Sequence, residues 1–129
     1  PVSGTPIMQT GTASLDWYRP GKVLRLTVHG EYTTELAEEM NARITAELER
    51  ADRPLYLLID AKDMAAPHNF RQIRDAQRCM NHPNLSHVLV LADQRVVRLA
   101  LMIIFNEGRA NLKLLDGQQE LDRIMRWHI

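Results

Sequence analysis

The spacing of apolar residues changes period several times along the chain, and each change marks an element. In "TASLDWY" the residues Ala13, Leu15 and Trp17 alternate with polar ones, and "VLRLTVH" alternates through Leu24, Leu26 and Val28. A period of two puts every second side chain on one face of a strand, and "RPGK" between the runs supplies a turn, so a hairpin is predicted. From Thr33 to Ala51 the spacing becomes four, through Leu36, Met40, Ile44 and Leu48. This predicts a helix with one packed face, capped by Thr33 or Thr34, with Glu35, Glu38 and Glu39 near its positive end.

Beyond Pro54, "LYLLI" is an unbroken apolar run suited to a strand covered on both faces. The stretch "DAKDMAAPHNF" is then expected to be a loop leading into a helix over Asn69 to Met80, with Phe70, Ile73, Ala76 or Gln77, and Met80 on one side and "NHPN" ending it. "SHVLVLA" reads as another central strand. "DQRVVRLALMIIFN" reads as a helix with Asp93 as candidate cap and a wide apolar face through Val96, Val97, Ala100, Leu101, Ile103 and Ile104. Complete burial inside the fold, or contact with the sheet on one side and a second subunit on the other, accounts for that width. "NLKLL" supplies one more strand with Leu112 and Leu114 facing the same way. Asp116 and Gln119 form the ends of a candidate capping box for a last helix carrying Leu121, Ile124, Met125 and His128.

The order is thus strand, strand, helix, then three strand–helix units. Parallel strands need long crossovers, and right-handed crossovers lay helices against a sheet. The predicted class is an α/β fold, an α+β sandwich whose mixed sheet has about five strands, an N-terminal hairpin and about four helices. The 129 residues suit one domain, expected over 12–129, while Pro1 to Gly11, rich in Pro, Gly, Ser and Thr, reads as a flexible arm.

Composition narrows the function classes. Hydrophobic residues at 45% and charged residues at 25% are ordinary for a globular domain, which removes global disorder as a reading. Sixteen basic and sixteen acidic side chains cancel, leaving no overall field to draw nucleic acid or an anionic membrane. Only Cys79 is present, so neither an internal disulfide nor a multi-cysteine metal site is available, and a cytoplasmic protein is expected. The start "PVSGTPIMQTGT" lacks a signal-peptide pattern, and no apolar run is long enough to span a bilayer.

"VLRLTVHGEYTTELAEEMNARITAEL", "PLYLLIDAKDM" and "HVLVLAD", in this order of elements, resemble the STAS fold of anti-sigma-factor antagonists, particularly the divergent SpoIIAA-like group, over about residues 12 to 128. In phosphorylated STAS proteins an aspartate ends the central strand and leads into an Asp-Ser-Ser/Thr-Gly loop whose serine is phosphorylated. Asp60 matches the strand-ending acid. The loop reaches "APHNF" where the serine would stand, so the resemblance implies protein-partner regulation without that switch, because phosphorylation needs a hydroxyl.

The polar candidates are Asp60, Asp63 and His68, with Asn69 beside them and with His29 and Glu31 following a neighbouring strand. Open α/β sheets often bind ligands beyond their strands' carboxyl ends, so these residues are candidate partner or ligand contacts; the plainer reading is a structural or solvated role. Their spacing matches no metal motif, and no cofactor, metal or catalytic residue is assigned. Arg71, Arg74 and Arg78 form an i, i+3, i+7 stripe suited to phosphate or an acidic protein, or else a solvated helix face. Cys79 and His82 lack an orienting group for nucleophilic catalysis and read as structural. Ser3, Ser14 and Ser86 lack a nucleophile-elbow context, and Gly108 and Gly117 belong to no phosphate-cradling loop.

The leading expectation is a non-enzymatic regulatory or protein-interaction domain, with a homodimer as a further candidate assembly. The alternative is a small-molecule or lipid-binding domain, since SpoIIAA-like domains also resemble parts of SEC14-type folds. A small enzyme built on His29, Asp60 and His68 ranks third.

Overall fold

A computed structural model describes residues 11–105 and 110–129. The expected arm, apart from Gly11, lies outside the described residues, as does Gly108. The hairpin forms as the alternation requires: β1 (Thr12–Arg19) pairs antiparallel with β2 (Val23–Gly30). Lys22 N–H donates to Arg19 O at 2.9 Å across the turn, and Gly21 takes φ +75°. Proline then glycine at the two central positions is the type II pattern, because only the second needs positive φ.

Four strands, β2, β3 (Leu55–Met64), β4 (Leu85–Leu91) and β5 (Asn111–Leu115), run parallel, and the sheet order is β1-β2-β3-β4-β5. That order never reverses. Right-handed crossovers that always step the same way must drop their helices on the same face. Accordingly α1 (Thr34–Arg50), α2 (Phe70–Ala76) with its following 3₁₀ turn (Arg78–Asn81), and α3 (Arg95–Phe105) share one large core with Leu24, Leu26, Leu57, Ile59, Val88 and Val90. Following the last strand, α4 (Gln118–His128) covers the opposite face, where Leu121 and Met125 meet Val23, Leu58, Leu89, Leu91 and Leu115. The observed class is the α/β sandwich with a five-stranded mixed sheet that the periodicity predicts.

Element ends follow local hydrogen bonds. Thr33 caps α1, its Oγ1 accepting Leu36 N–H at 3.2 Å, and the Asn84 side-chain amide donates to Leu48 O at 2.9 Å and Ala51 O at 3.3 Å at the other end. The second helix is shorter than its spacing predicts, giving way at Gln77 to the 3₁₀ turn. Gln77 is buried, with Nε2 donating to Ala37 O at 2.8 Å and Tyr32 Oη at 3.1 Å, while Cys79 N–H donates to Asn41 Oδ1 at 2.7 Å. Polar groups of α1 and its approach thus hold the break. The third helix starts at Arg95, with Arg98 N–H donating to Gln94 O at 3.0 Å, so Asp93 stands one residue too early to cap it. At α4 the side chain that reaches back is Glu120 rather than Gln119: its Oε1 accepts Asp116 N–H at 2.7 Å.

The largest departure lies in "DAKDM", which continues β3 to Met64 instead of forming a loop. Thr27 pairs with Asp60 and His29 with Asp63, so two steps on β2 oppose three on β3. That extra residue is a β-bulge. Asp60 Oδ1 accepts Lys62 N–H there at 3.3 Å, and β2 continues to pair after β4 has ended at Leu91 beside Asp60.

Candidate functional site

Strand geometry decides which of the candidate residues meet. Val23 packs on the α4 side, so Arg25 and Thr27, two and four residues on, face that side as well, and Asp60 follows as the parallel neighbour of Thr27. Its carboxylate lies 3.9 Å from Lys62 Nζ. The other members stand elsewhere. His29 Nδ1 faces Asp63 Oδ2 at 3.3 Å, both side chains exposed, and Glu31 is half-buried just beyond β2. His68 and Asn69 are exposed at the entrance to α2 after the buried Pro67.

The expected cluster therefore splits into a bulge contact at Asp60, a cross-strand pair at His29 and Asp63, and a helix entrance at His68. No hydrogen bond or ion pair among the described residues joins His68 to His29, Asp60 or Asp63, and no group of three or more His, Cys, Asp or Glu among them is placed to hold a metal ion. The physical reason is the strand order. A ligand crevice at the carboxyl edge of a parallel sheet opens where crossovers diverge to opposite faces, and this sheet has no such reversal.

The α2 side holds the remaining candidates. His68, Phe70, Arg71 and Arg74 border a cavity of about 480 Å³ whose far wall is Ile103 of α3. A second cavity, of about 220 Å³, joins Arg74 and Arg78 to Ile104. Arg71 is exposed and Arg74 half-buried, with Nε 3.9 Å from Asp75 Oδ1. Because α2 ends at Ala76, Arg78 belongs to the 3₁₀ turn, and the three arginines line successive hollows rather than one straight stripe.

Beside these hollows α3 divides into two faces. Val97, Ala100, Leu101, Ile104 and Phe105 are buried, whereas Val96, Leu99, Met102 and Ile103 remain 55%, 56%, 38% and 50% exposed, with Phe70 of α2 at 36%. The full-burial reading of this helix fails for four of its nine apolar residues. Each successive residue of a helix turns about 100° around its axis, so a face this wide cannot all reach one sheet.

Two features escaped the sequence reading. The buried Gln77–Tyr32–Ala37 and Asn41–Cys79 contacts had a faint signal, a glutamine at an apolar spacing. Burial raises the Tyr32 hydroxyl well above its ordinary range and pushes the Cys79 thiol up to about 12, so neither is an ionised nucleophile near neutral pH.

No family model and no curated protein sequence matches this chain. Solved structures do. The chain is similar to an uncharacterized protein of the DUF3478 family with a SpoIIAA-like fold from Shewanella loihica, at TM-score 0.64 and 13% identity over 95% of this chain and 98% of that one. It is also similar to an anti-sigma factor antagonist from Mycobacterium paratuberculosis, at TM-score 0.60 and 15% identity over 92% of this chain and 97% of that one. Identities this low establish fold alone: the chain has a SpoIIAA-like, STAS-type fold. No helix among the described residues is long and apolar enough to cross a membrane.

Proposed function

We propose that this chain is a non-enzymatic protein-interaction domain that docks a partner protein on the surface formed by α2 and α3. The observation carrying this reading is the exposed row Val96, Leu99, Met102 and Ile103 on a helix whose other apolar residues are buried. Covering apolar surface is favourable by about 25 cal/mol per Å² before association costs, so such a row gains from a partner. Arg71, Arg74 and Arg78 beside it favour a partner with carboxylates, and none of the described residues around the larger cavity is acidic. The similarity to an anti-sigma factor antagonist supports a regulatory role of this kind.

Regulation would not use the usual serine switch. Pro67, His68, Asn69 and Phe70 occupy the loop and helix entrance, and none carries a hydroxyl. The enzyme reading loses its geometry, since Asp60 faces the α4 side while His68 borders α2.

The test is affinity capture from native cell extract with the intact chain and with a Leu99→Asp, Ile103→Asp double variant. A specific protein held by the first and lost from the second supports the reading. An identical set of captured proteins from both overturns it.

A further inference from the structure

Five strands at about 4.8 Å spacing span about 19 Å, whereas one helix with its side chains is about 10 Å across. A single helix therefore cannot roof the α4 side of this sheet. The chain handles the uncovered area in two ways. Across β1 to β3 it is a charged ladder: Arg25 Nε and Nη2 donate to Asp16 Oδ1 and Oδ2 at 3.0 and 2.6 Å, and Lys62 stands beside Asp60. Across β3 to β5 the described residues form no such ladder. Tyr56 and His87, register partners on β3 and β4, stack their rings with centroids 4.4 Å apart and planes 11° apart, and both remain half-buried.

These rings belong to a hollow of about 400 Å³ between the sheet and the C-terminal half of α4, with Leu89 and Ile124 as aliphatic walls. Its polar rim is Asn111, Lys113 and His128, and no carboxylate lines it among the described residues. The neighbouring Glu120 fixes Lys113 rather than filling the hollow: its Oε2 lies 3.1 Å from Lys113 Nζ while its Oε1 takes Asp116 N–H. An ammonium has three donors, so two remain. On His87 the proton can be placed from its neighbour. The single hydroxyl hydrogen of Ser86 goes to Leu55 O at 3.0 Å, so the 3.1 Å contact is His87 Nδ1–H donating to Ser86 Oγ. In the neutral ring Nε2 is then an acceptor.

We propose that this hollow binds a small flat aromatic carboxylate that also carries a hydroxyl. Aromatic edges and aliphatic walls suit a ring. Asn111 and Lys113 donate to its carboxylate, and His87 Nε2 accepts from its hydroxyl. This site is independent of the α2–α3 surface and lies on the other side of the sheet.

The test is titration of the ¹⁵N-labelled intact chain with 4-hydroxybenzoate, with cyclohexanecarboxylate as a charge without a flat ring and phenol as a ring without the charge. Saturable binding of 4-hydroxybenzoate with Kd below about 1 mM is expected, with both controls at least about tenfold weaker. Amide shifts should concentrate at His87, Asn111, Lys113 and His128. The exposed Lys113→Met variant should keep its far-ultraviolet circular dichroism and bind about tenfold more weakly. No saturable shift up to about 10 mM, equal affinity for cyclohexanecarboxylate, or undiminished binding by Lys113→Met would each overturn the proposal.

Discussion

Asp60 accepts the backbone N–H of Lys62 at 3.3 Å, closing the bulge that shifts the end of β3 relative to β2. The acid expected to end the strand therefore lies inside β3 and serves as a local backbone partner. Asp60→Asn keeps an acceptor at that point and should change stability by less than about 0.5 kcal/mol, whereas Asp60→Ala should lose about 1 kcal/mol. Urea denaturation of the two variants separates this role from a charge requirement, since equal losses in both would point to the charge.

The two faces of α3 make opposite predictions for chemically similar changes. Leu101 is buried in the main core, so Leu101→Ala should cost about 2–5 kcal/mol in urea denaturation. Leu99 is exposed on the proposed docking row, and Leu99→Ala should stay within about 0.5 kcal/mol of the parent while weakening partner capture. A large loss of stability from Leu99→Ala would show that the row is already covered within the folded chain.

Which parts of this arrangement were legible follows from the range of the interactions that make them. The run at Leu55–Ile59 and the four-residue spacing from Leu36 to Leu48 report burial directly, so the sheet, its helices and their order could be read. The continuation of β3 could not, because an aspartate two residues before a backbone N–H is equally a turn signal. Only pairing with β2, some thirty residues away in sequence, decides between them. The end of α2 depends on Gln77 reaching Ala37 O on α1, and the Tyr56–His87 stack depends on strand register. For α3 the width of the apolar face was visible, but which residues stay outside was set by how the helix lies on the sheet.

Cys79 gives a direct measure of how tightly the α1 contact is closed. Its thiol is buried and pushed up to about 12, and its N–H is held by Asn41 at 2.7 Å. In the native chain at about pH 8, thiol labelling should be at least about a hundredfold slower than in concentrated denaturant, because the reactive thiolate is scarce and shielded. Asn41→Leu leaves that buried N–H without its partner, and should lower stability by about 1–3 kcal/mol while speeding the labelling. Labelling at the denatured rate in the parent chain would contradict the buried placement.

Acid stability should depend on the pair that anchors the charged ladder. The hydrogen bonds from Arg25 hold the Asp16 carboxyl below its ordinary value of 3.8, and the Asp116 N–H, with Lys113, does the same for Glu120 below 4.5. A group whose pKa is depressed in the folded state contributes stability that is fully present above its unfolded pKa and is lost as pH falls through the folded one. The loss should therefore begin below about pH 4.5 and continue downward. Both Arg25 and Asp16 side chains are partly exposed, at 34% and 50%, which limits the Asp16 share to about 0.2–1 kcal/mol and makes it weaken with added salt. In Arg25→Gln the urea midpoint should fall less steeply between about pH 4 and pH 2.5 than in the parent, with the difference shrinking at high salt. Parallel curves for the two proteins at low salt would show that this pair contributes nothing to folding.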